Sequence, residues 1–220
     1  GFGQLSASNG QWLNAGTIRS DVVNQPLSII GSLVNEGTLD STAGTLSITS
    51  STWVNTGLVR ASGGTTTLGG TWSGVGSFAV SSGTLNLGGT FDPTVFGAFT
   101  RTGGTVNLTG TVNNTGRTLT LDANTGTWNA NGATIQGGVI ATHDDALLRV
   151  VYGAGLDLNA GQIDGQVVID DRASMRVRDG LVLNGTLVVG SGTASYSPDL
   201  RFIGDQTLSG VGEIVMLASD

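Results

Sequence analysis

A Gly-Thr pair returns along this chain about every twenty residues, and that periodicity constrains the fold more than anything else in it. The pairs open the segments GTLSI at Gly44, GTTTL at Gly64, GTLNL at Gly83, GTVNL at Gly104 and GTWNA at Gly126. Successive spacings are 20, 19, 21 and 22 residues. A second column runs through Trp12, Leu33, Trp53, Trp72, Phe91 and Val112, and a third through Ile18, Leu39, Val59, Phe78 and Phe99. Fixed-period self-similarity of this kind belongs to repeat architectures in which each unit buries its apolar face only against its neighbours.

One period, TWSGVGSFAVSSGTLNLGG from Thr71 to Gly89, holds three short alternating runs with glycine-containing turns between them. Each run is too short for a helix, and its Thr, Val and Leu suit strands. The predicted fold is all-β: a parallel β-helix, or β-solenoid, with three short strands and about 19–22 residues per coil. Dividing 220 residues by that period predicts about eleven coils. Alternation assigns the faces, because successive side chains of a strand point to opposite sides. In GTLNL, Leu85 and Leu87 point inward while Thr84 and Asn86 point out. The Trp column then stacks inside as core.

Composition agrees with a neutral-polar surface over a repetitive core. Charged residues are 11% of the chain, while 37 of 220 residues are Gly. The net charge is −7 and there is no Lys, so the electrostatic footprint needed to neutralise phosphates is missing and nucleic acid is not an expected partner. There is no Cys, hence neither disulfide nor thiolate metal site. No apolar run approaches the roughly 18 residues of a spanning helix, and membrane insertion is not expected. The chain lacks an initiator Met and begins and ends inside repeat-like text, which reads as a fragment of a longer protein.

Residues 1–220 read as one continuous solenoid, regular over 1–132 and irregular and more charged over 133–220. Residues 1–140 carry 5 acidic and 4 basic side chains, whereas residues 141–220 carry 11 and 5. Continuity is argued from the end of the chain, where TLSGVGEIVM (Thr207 to Met216) matches TWSGVGSFAV (Thr71 to Val80).

The units WLNAGTI from Trp12 and LVNEGTL from Leu33, with the S-x-G-T-L-x-L units, resemble the repeats of bacterial surface β-solenoids. That group includes filamentous-haemagglutinin-type adhesins and autotransporter-passenger-like giant surface proteins. LVLNGTLVVGSG from Leu181 and FIGDQTLSGVGEIV from Phe202 are similar to repeat text of very large bacterial exported proteins. The resemblance covers nearly the whole chain. It implies a right-handed parallel β-helix, an extracellular or cell-surface location and a role in adhesion or surface structure. It transfers no catalytic residue.

Candidate chemistry is sparse. His143, the only His, lies beside Asp144 and Asp145. Three adjacent ligands would alternate faces if extended, so a solvated turn is the expectation rather than a metal site. Asp164, Asp170, Asp171, Arg172, Arg176, Arg178 and Asp179 are the best local supply for a polysaccharide-cleaving site, since β-helix enzymes acting on acidic polysaccharides resemble this architecture. Arg176 and Arg178 should share one face around Val177, with Asp residues pairing to them across coils. No cofactor is expected. Calcium is the ion an acidic exported repeat invites, with Asp170 and Asp171 as weak ligands, but the calcium-binding nonapeptide is absent. GVG at Gly74 and GAG at Gly153 lack the third glycine of a dinucleotide fingerprint.

The outward column beside the Leu ladder supplies the binding candidates: Thr45, Thr65, Thr67, Thr84, Asn86, Thr105 and Asn107. A flat Thr array resembles the face of ice-binding β-solenoids, although the second position drifts from Thr through Ser to Asn. Hydrogen-bonded ladders between coils are the alternative. A further column, Arg19, Asp40 and Arg60, is expected to point outward and fix register. These readings favour a non-catalytic structural or adhesive segment working as a rigid rod or filament. Its partners would be neighbouring coils, other copies end to end, and a surface glycan or host receptor. The alternatives are a polysaccharide lyase or hydrolase, and ligand or ice binding by the Thr/Asn face.

Overall fold

The computed structural model describes residues 2–191 and 196–217. The chain is all-β, its parallel strands stacked as a β-solenoid of about nine turns. The predicted coil number is too high because some coils exceed twenty residues. Gly3 pairs with Leu27, a step of 24 residues, and Leu187 with Ile214, a step of 27. The residues cluster into two compact units, Gly1–Gly110 and Thr111–Asp220.

In the first unit a typical coil has the strands Thr45–Ile48, Thr52–Asn55 and Leu58–Ala61. One face is a five-stranded parallel sheet of Phe96–Arg101, Gly76–Val80, Leu58–Ala61, Thr38–Ser41 and Thr17–Ser20. The three sequence columns are rungs of the core. Trp12 faces Leu33, Leu33 faces Trp53, and Trp53 faces Trp72. Ile18, Leu39, Val59, Phe78 and Phe99 follow one another in the same manner. The Trp53 and Trp72 rings stack at 5.7 Å, Trp72 and Phe91 at 4.3 Å, and Phe78 and Phe99 at 5.9 Å. Such pairs add about 0.5–1.5 kcal/mol each beyond burial. Trp12, paired with Leu33, is half-buried.

Corners between strands are tight enough to require glycine. Gly70 and Gly89 hold φ of 69° and 68°, and a Cβ on Gly89 would sit 1.9 Å from the Gly70 carbonyl oxygen. Only a residue without Cβ meets both demands. A short 3₁₀ turn, Pro93–Val95, interrupts the strands, its Asp92 carboxylate accepting the Thr94 backbone N–H.

The second unit keeps the inner ladder while the strands change. Trp128, Leu148, Val167, Leu187 and Ile214 stack in turn. Two strands, Gly155–Asp164 and Ser174–Leu183, run ten residues each, with a register shift between Asn159 and Gly161. Ala160 and Asp179 take the left-handed backbone conformation there, φ 53° and 58°, with Gly180 after Asp179 at φ 90°, and these residues bend the long strands. The sequence signal for separate strands fades in this region because a bulge has taken the place of a turn.

Candidate functional site

The candidate binding residues stand in two columns on the outer side of the Leu ladder in the first unit. Thr45, Thr65, Thr84 and Thr105 are in register, and Ser47, Thr67, Asn86 and Asn107 form the column beside them. All are half-buried, and the residues between the paired columns (Leu46, Thr66, Leu85 and Val106) are fully buried. The Asn86 amide donates to the Thr67 hydroxyl at 3.1 Å, and the Asn107 amide donates to Asn86 Oδ1 at 2.8 Å. The drift from Thr to Asn therefore has a structural consequence: a hydroxyl-to-amide ladder binding three coils together.

A second ladder lies inside and was not foreseen. Asn14, Asn35 and Asn55 are buried. Asn14 Nδ2 donates to Asn35 Oδ1, and Asn35 Nδ2 to Asn55 Oδ1, both at 2.7 Å. The Asn55 amide nitrogen, at the end, has no hydrogen-bond partner. The signal was in the sequence: each Asn sits two residues after Trp12, Leu33 or Trp53, so it shares their inward side. Thr66 also breaks the apolar rule. It occupies a Leu rung between Leu46 and Leu85, fully buried, with its hydroxyl 2.8 Å from Ser41 Oγ and donating to the Arg60 carbonyl at 3.2 Å.

Arg19, Asp40 and Arg60 are in register as expected, but Asp40 is not a solvated outward charge. Its side chain is 0% exposed, because the half-exposed Arg19 and Arg60 close over it from both sides. Arg60 Nη2 donates to Asp40 Oδ2 at 2.6 Å, Arg19 Nε lies 3.6 Å away, and Ser62 Oγ donates at 2.8 Å. Burial alone would push the Asp40 carboxyl up, but these hydrogen bonds and the two guanidinium charges hold it below its ordinary value. The column lies in register and forms a covered cation–anion–cation stack.

In the second unit the charged candidates separate into local pairs. Arg176 Nε and Nη2 grip Asp157 at 2.5 and 2.9 Å, and Arg149 Nε bridges both oxygens of Asp170 at 2.7 and 2.9 Å. Arg176 and Arg178 do flank the buried Val177. Asp171 turns the other way, nearly buried, and accepts from the Ser191 hydroxyl and backbone N–H. Asp170 and Asp171 thus serve different protein donors. Asp164 accepts from the Gln162 and Asn184 amides at 2.8–2.9 Å. Asp179 is exposed at its bulge.

His143, Asp144 and Asp145 form a turn closed by the Ala146 N–H on the His143 carbonyl, with Asp144 and Asp145 both left-handed at φ 54° and 63°. All three are exposed and line an open groove of about 520 Å³ with Thr142, Gln166 and Asn184. Among the described residues no group of three or more His, Cys, Asp or Glu side chains converges as a metal would need, and no helix is long and apolar enough to cross a membrane.

A smaller groove of about 370 Å³ lies between Thr134, Ser174, Asp157, Arg176 and Arg172. Arg172 lines it, and outside that lining two tyrosines the sequence reading passed over, Tyr152 and Tyr196, pack against the Arg172 guanidinium. Tyr152 stands one coil length from Arg172, which was the available signal. No protein-family model matches this chain, and comparisons with curated proteins and with solved structures return no match either.

Proposed function

We propose that this chain is a non-catalytic structural or adhesive segment of a bacterial cell-surface or secreted protein, acting as a rigid rod or filament. The observation that carries the proposal is the stack itself, coil upon coil in parallel register with buried apolar rungs such as Trp53 on Trp72 and Leu148 on Val167; the strands over 199–217 offer the edge at which association can be tested. The strands Asp199–Phe202, Leu208–Ser209 and Glu213–Met216 each pair on one side only among the described residues. Their inward residues continue the buried rungs yet stay exposed, Leu208 at 48% and Met216 at 68%. An open parallel edge with its apolar rung bared is a template for one more coil. The Gly3–Asn14 strand is similarly paired only with Pro26–Asn35 among the described residues and leaves Leu5, which continues the rung of buried Ile29, exposed. The repeat text supports a surface-protein setting by its resemblance to bacterial exported repeats.

Sedimentation velocity across a concentration series, with electron microscopy of the concentrated sample, tests the proposal. Association that grows with concentration is expected. Leu208→Lys with Met216→Lys should abolish it, because charge on an edge opposes further pairing. A wild-type chain that stays monomeric at every concentration would overturn the filament reading.

A further inference from the structure

The rim of the smaller groove holds a cation that the fold leaves incompletely paired. The Arg172 guanidinium carbon lies 3.6 Å from the centre of the Tyr196 ring and 5.7 Å from that of Tyr152. Arg172 Nη1 donates to the Tyr152 hydroxyl at 2.8 Å. That is one of the five N–H donors of a guanidinium. No acidic residue pairs with it among the described residues. The other groove cation, Arg176, is already neutralised by Asp157 through two hydrogen bonds. Arg172 therefore supplies the unbalanced charge of the groove, in a chain whose net charge is −7.

The surroundings suit a sugar. Tyr152 and Tyr196 are 56% and 50% exposed, so each presents ring surface to solvent beside the arginine. Exposed tyrosines give rigid amphipathic contact area at small entropic cost. The floor contains Gly132 and Gly153, above which a Cβ would meet nothing within 4 Å, and the walls offer the Thr134 and Ser174 hydroxyls. A volume of about 370 Å³ falls within the roughly 300–1,000 Å³ of small-ligand clefts. Arg172 itself sits at φ 60°, where glycine is the default. A peptide strand is a poorer occupant, because the strands Ala133–Gln136, Gly155–Asp164 and Ser174–Leu183 already pair with one another across the groove floor.

We propose that the groove beside Arg172 binds a carboxylate-bearing saccharide, its carboxylate on the planar guanidinium edge at the groove wall and its ring against the exposed surface of Tyr152 and the Tyr196 face turned away from Arg172, just outside the groove lining. The planar fork of arginine matches a carboxylate in two-point fashion. This deepens the adhesive half of the proposed function and rests on it for why such a sugar would be met.

Calorimetric titration with trigalacturonate, and with its neutral methyl ester, tests the proposal on the whole chain. Trigalacturonate should bind with a dissociation constant on the order of 1 mM or tighter, and the ester about tenfold more weakly. Arg172→Ala should weaken binding about tenfold or more, Arg172→Lys by less, and Tyr196→Ser about fivefold. Arg149→Ala, whose partner Asp170 lies outside the groove, should bind as wild type. Circular dichroism establishes that each variant is folded; if Arg172→Ala is not, Arg172→Lys and the ester carry the test. Three results overturn the proposal: no binding at about 10 mM sugar, equal binding of acid and ester, or wild-type affinity in the Arg172 and Tyr196 variants. Failure here with concentration-dependent association intact removes the sugar site and leaves the filament reading standing, and the converse holds.

Discussion

The buried asparagine ladder predicts an asymmetry between its middle and its end. Asn35 accepts from Asn14 and donates to Asn55, each at 2.7 Å, and also reaches the Gly37 carbonyl at 3.4 Å. Truncating it to Ala strands Asn55 Oδ1 and leaves Asn14 Nδ2 with only the Thr38 carbonyl at 3.3 Å. A buried polar group left without its partner costs about 1–3 kcal/mol, so Asn35→Ala should lose about 2–6 kcal/mol. Asn55→Ala removes a similar volume but strands only Asn35 Nδ2, which keeps the Gly37 carbonyl. It also deletes an amide nitrogen that is already unpaired. Its cost should be about 1–3 kcal/mol, at least about 1 kcal/mol below that of Asn35→Ala. Urea unfolding of both variants, read as midpoint shifts at constant slope, measures the difference. Equal costs, or a loss under about 1 kcal/mol for Asn35→Ala, would refute the view that the ladder stabilises through its internal hydrogen bonds.

Three other outcomes follow from the same structure. Asp40→Asn should lower stability near neutral pH by about 1–3 kcal/mol. Since the folded-state carboxyl titrates below 3.8, its contribution is present above that pH and is lost as pH falls through the depressed value; the gap in melting temperature between wild type and variant should therefore narrow in acid. Thr66→Val should cost about 1–2 kcal/mol by stranding the Ser41 hydroxyl, and Ser41→Ala added to it should recover part of that loss in a double-mutant cycle of urea midpoints. Gly89→Ala, with its Cβ forced to 1.9 Å from the Gly70 carbonyl and a left-handed backbone to hold, should cost about 2–4 kcal/mol by the same measurement.

Most of the fold could be read from spacing because each coil repeats the solution of the last. Leu85 and Leu87 point inward by parity alone, and the Trp and Phe columns align one coil apart as the sequence text does. What escaped were features created by stacking. Asp40 reads as an exposed charge within its own strand, and only the two arginines one coil above and below bury it. Thr66 faces inward by the same parity that turns Thr65 and Thr67 out, but the Ser41 hydroxyl that accommodates it comes from the preceding coil. The Arg172 cluster needs residues from separate coils, and nothing within any single period announces it. Coil count departs from the expected eleven for a related reason: the regular region sets a period near twenty residues, while Leu187 to Ile214 spends 27 on one step.

The asparagine ladder also gives the core a direction. Each side-chain amide donates toward the later coil, so its dipoles align head to tail, from an acceptor end at Asn14 to a donor end at Asn55. Asn14 Oδ1 closes the first end by accepting the Gly16 N–H at 3.2 Å. The other end is stopped by shape. Gly74 and Gly76 lie over Asn55: a Cβ on Gly74 would sit 2.4 Å from the Asn55 carbonyl oxygen, and one on Gly76 1.9 Å from Asn55 Nδ2. A fourth asparagine has no room. The row is therefore a polar vector of fixed length, and the chain marks its own axis with an arrow three residues long.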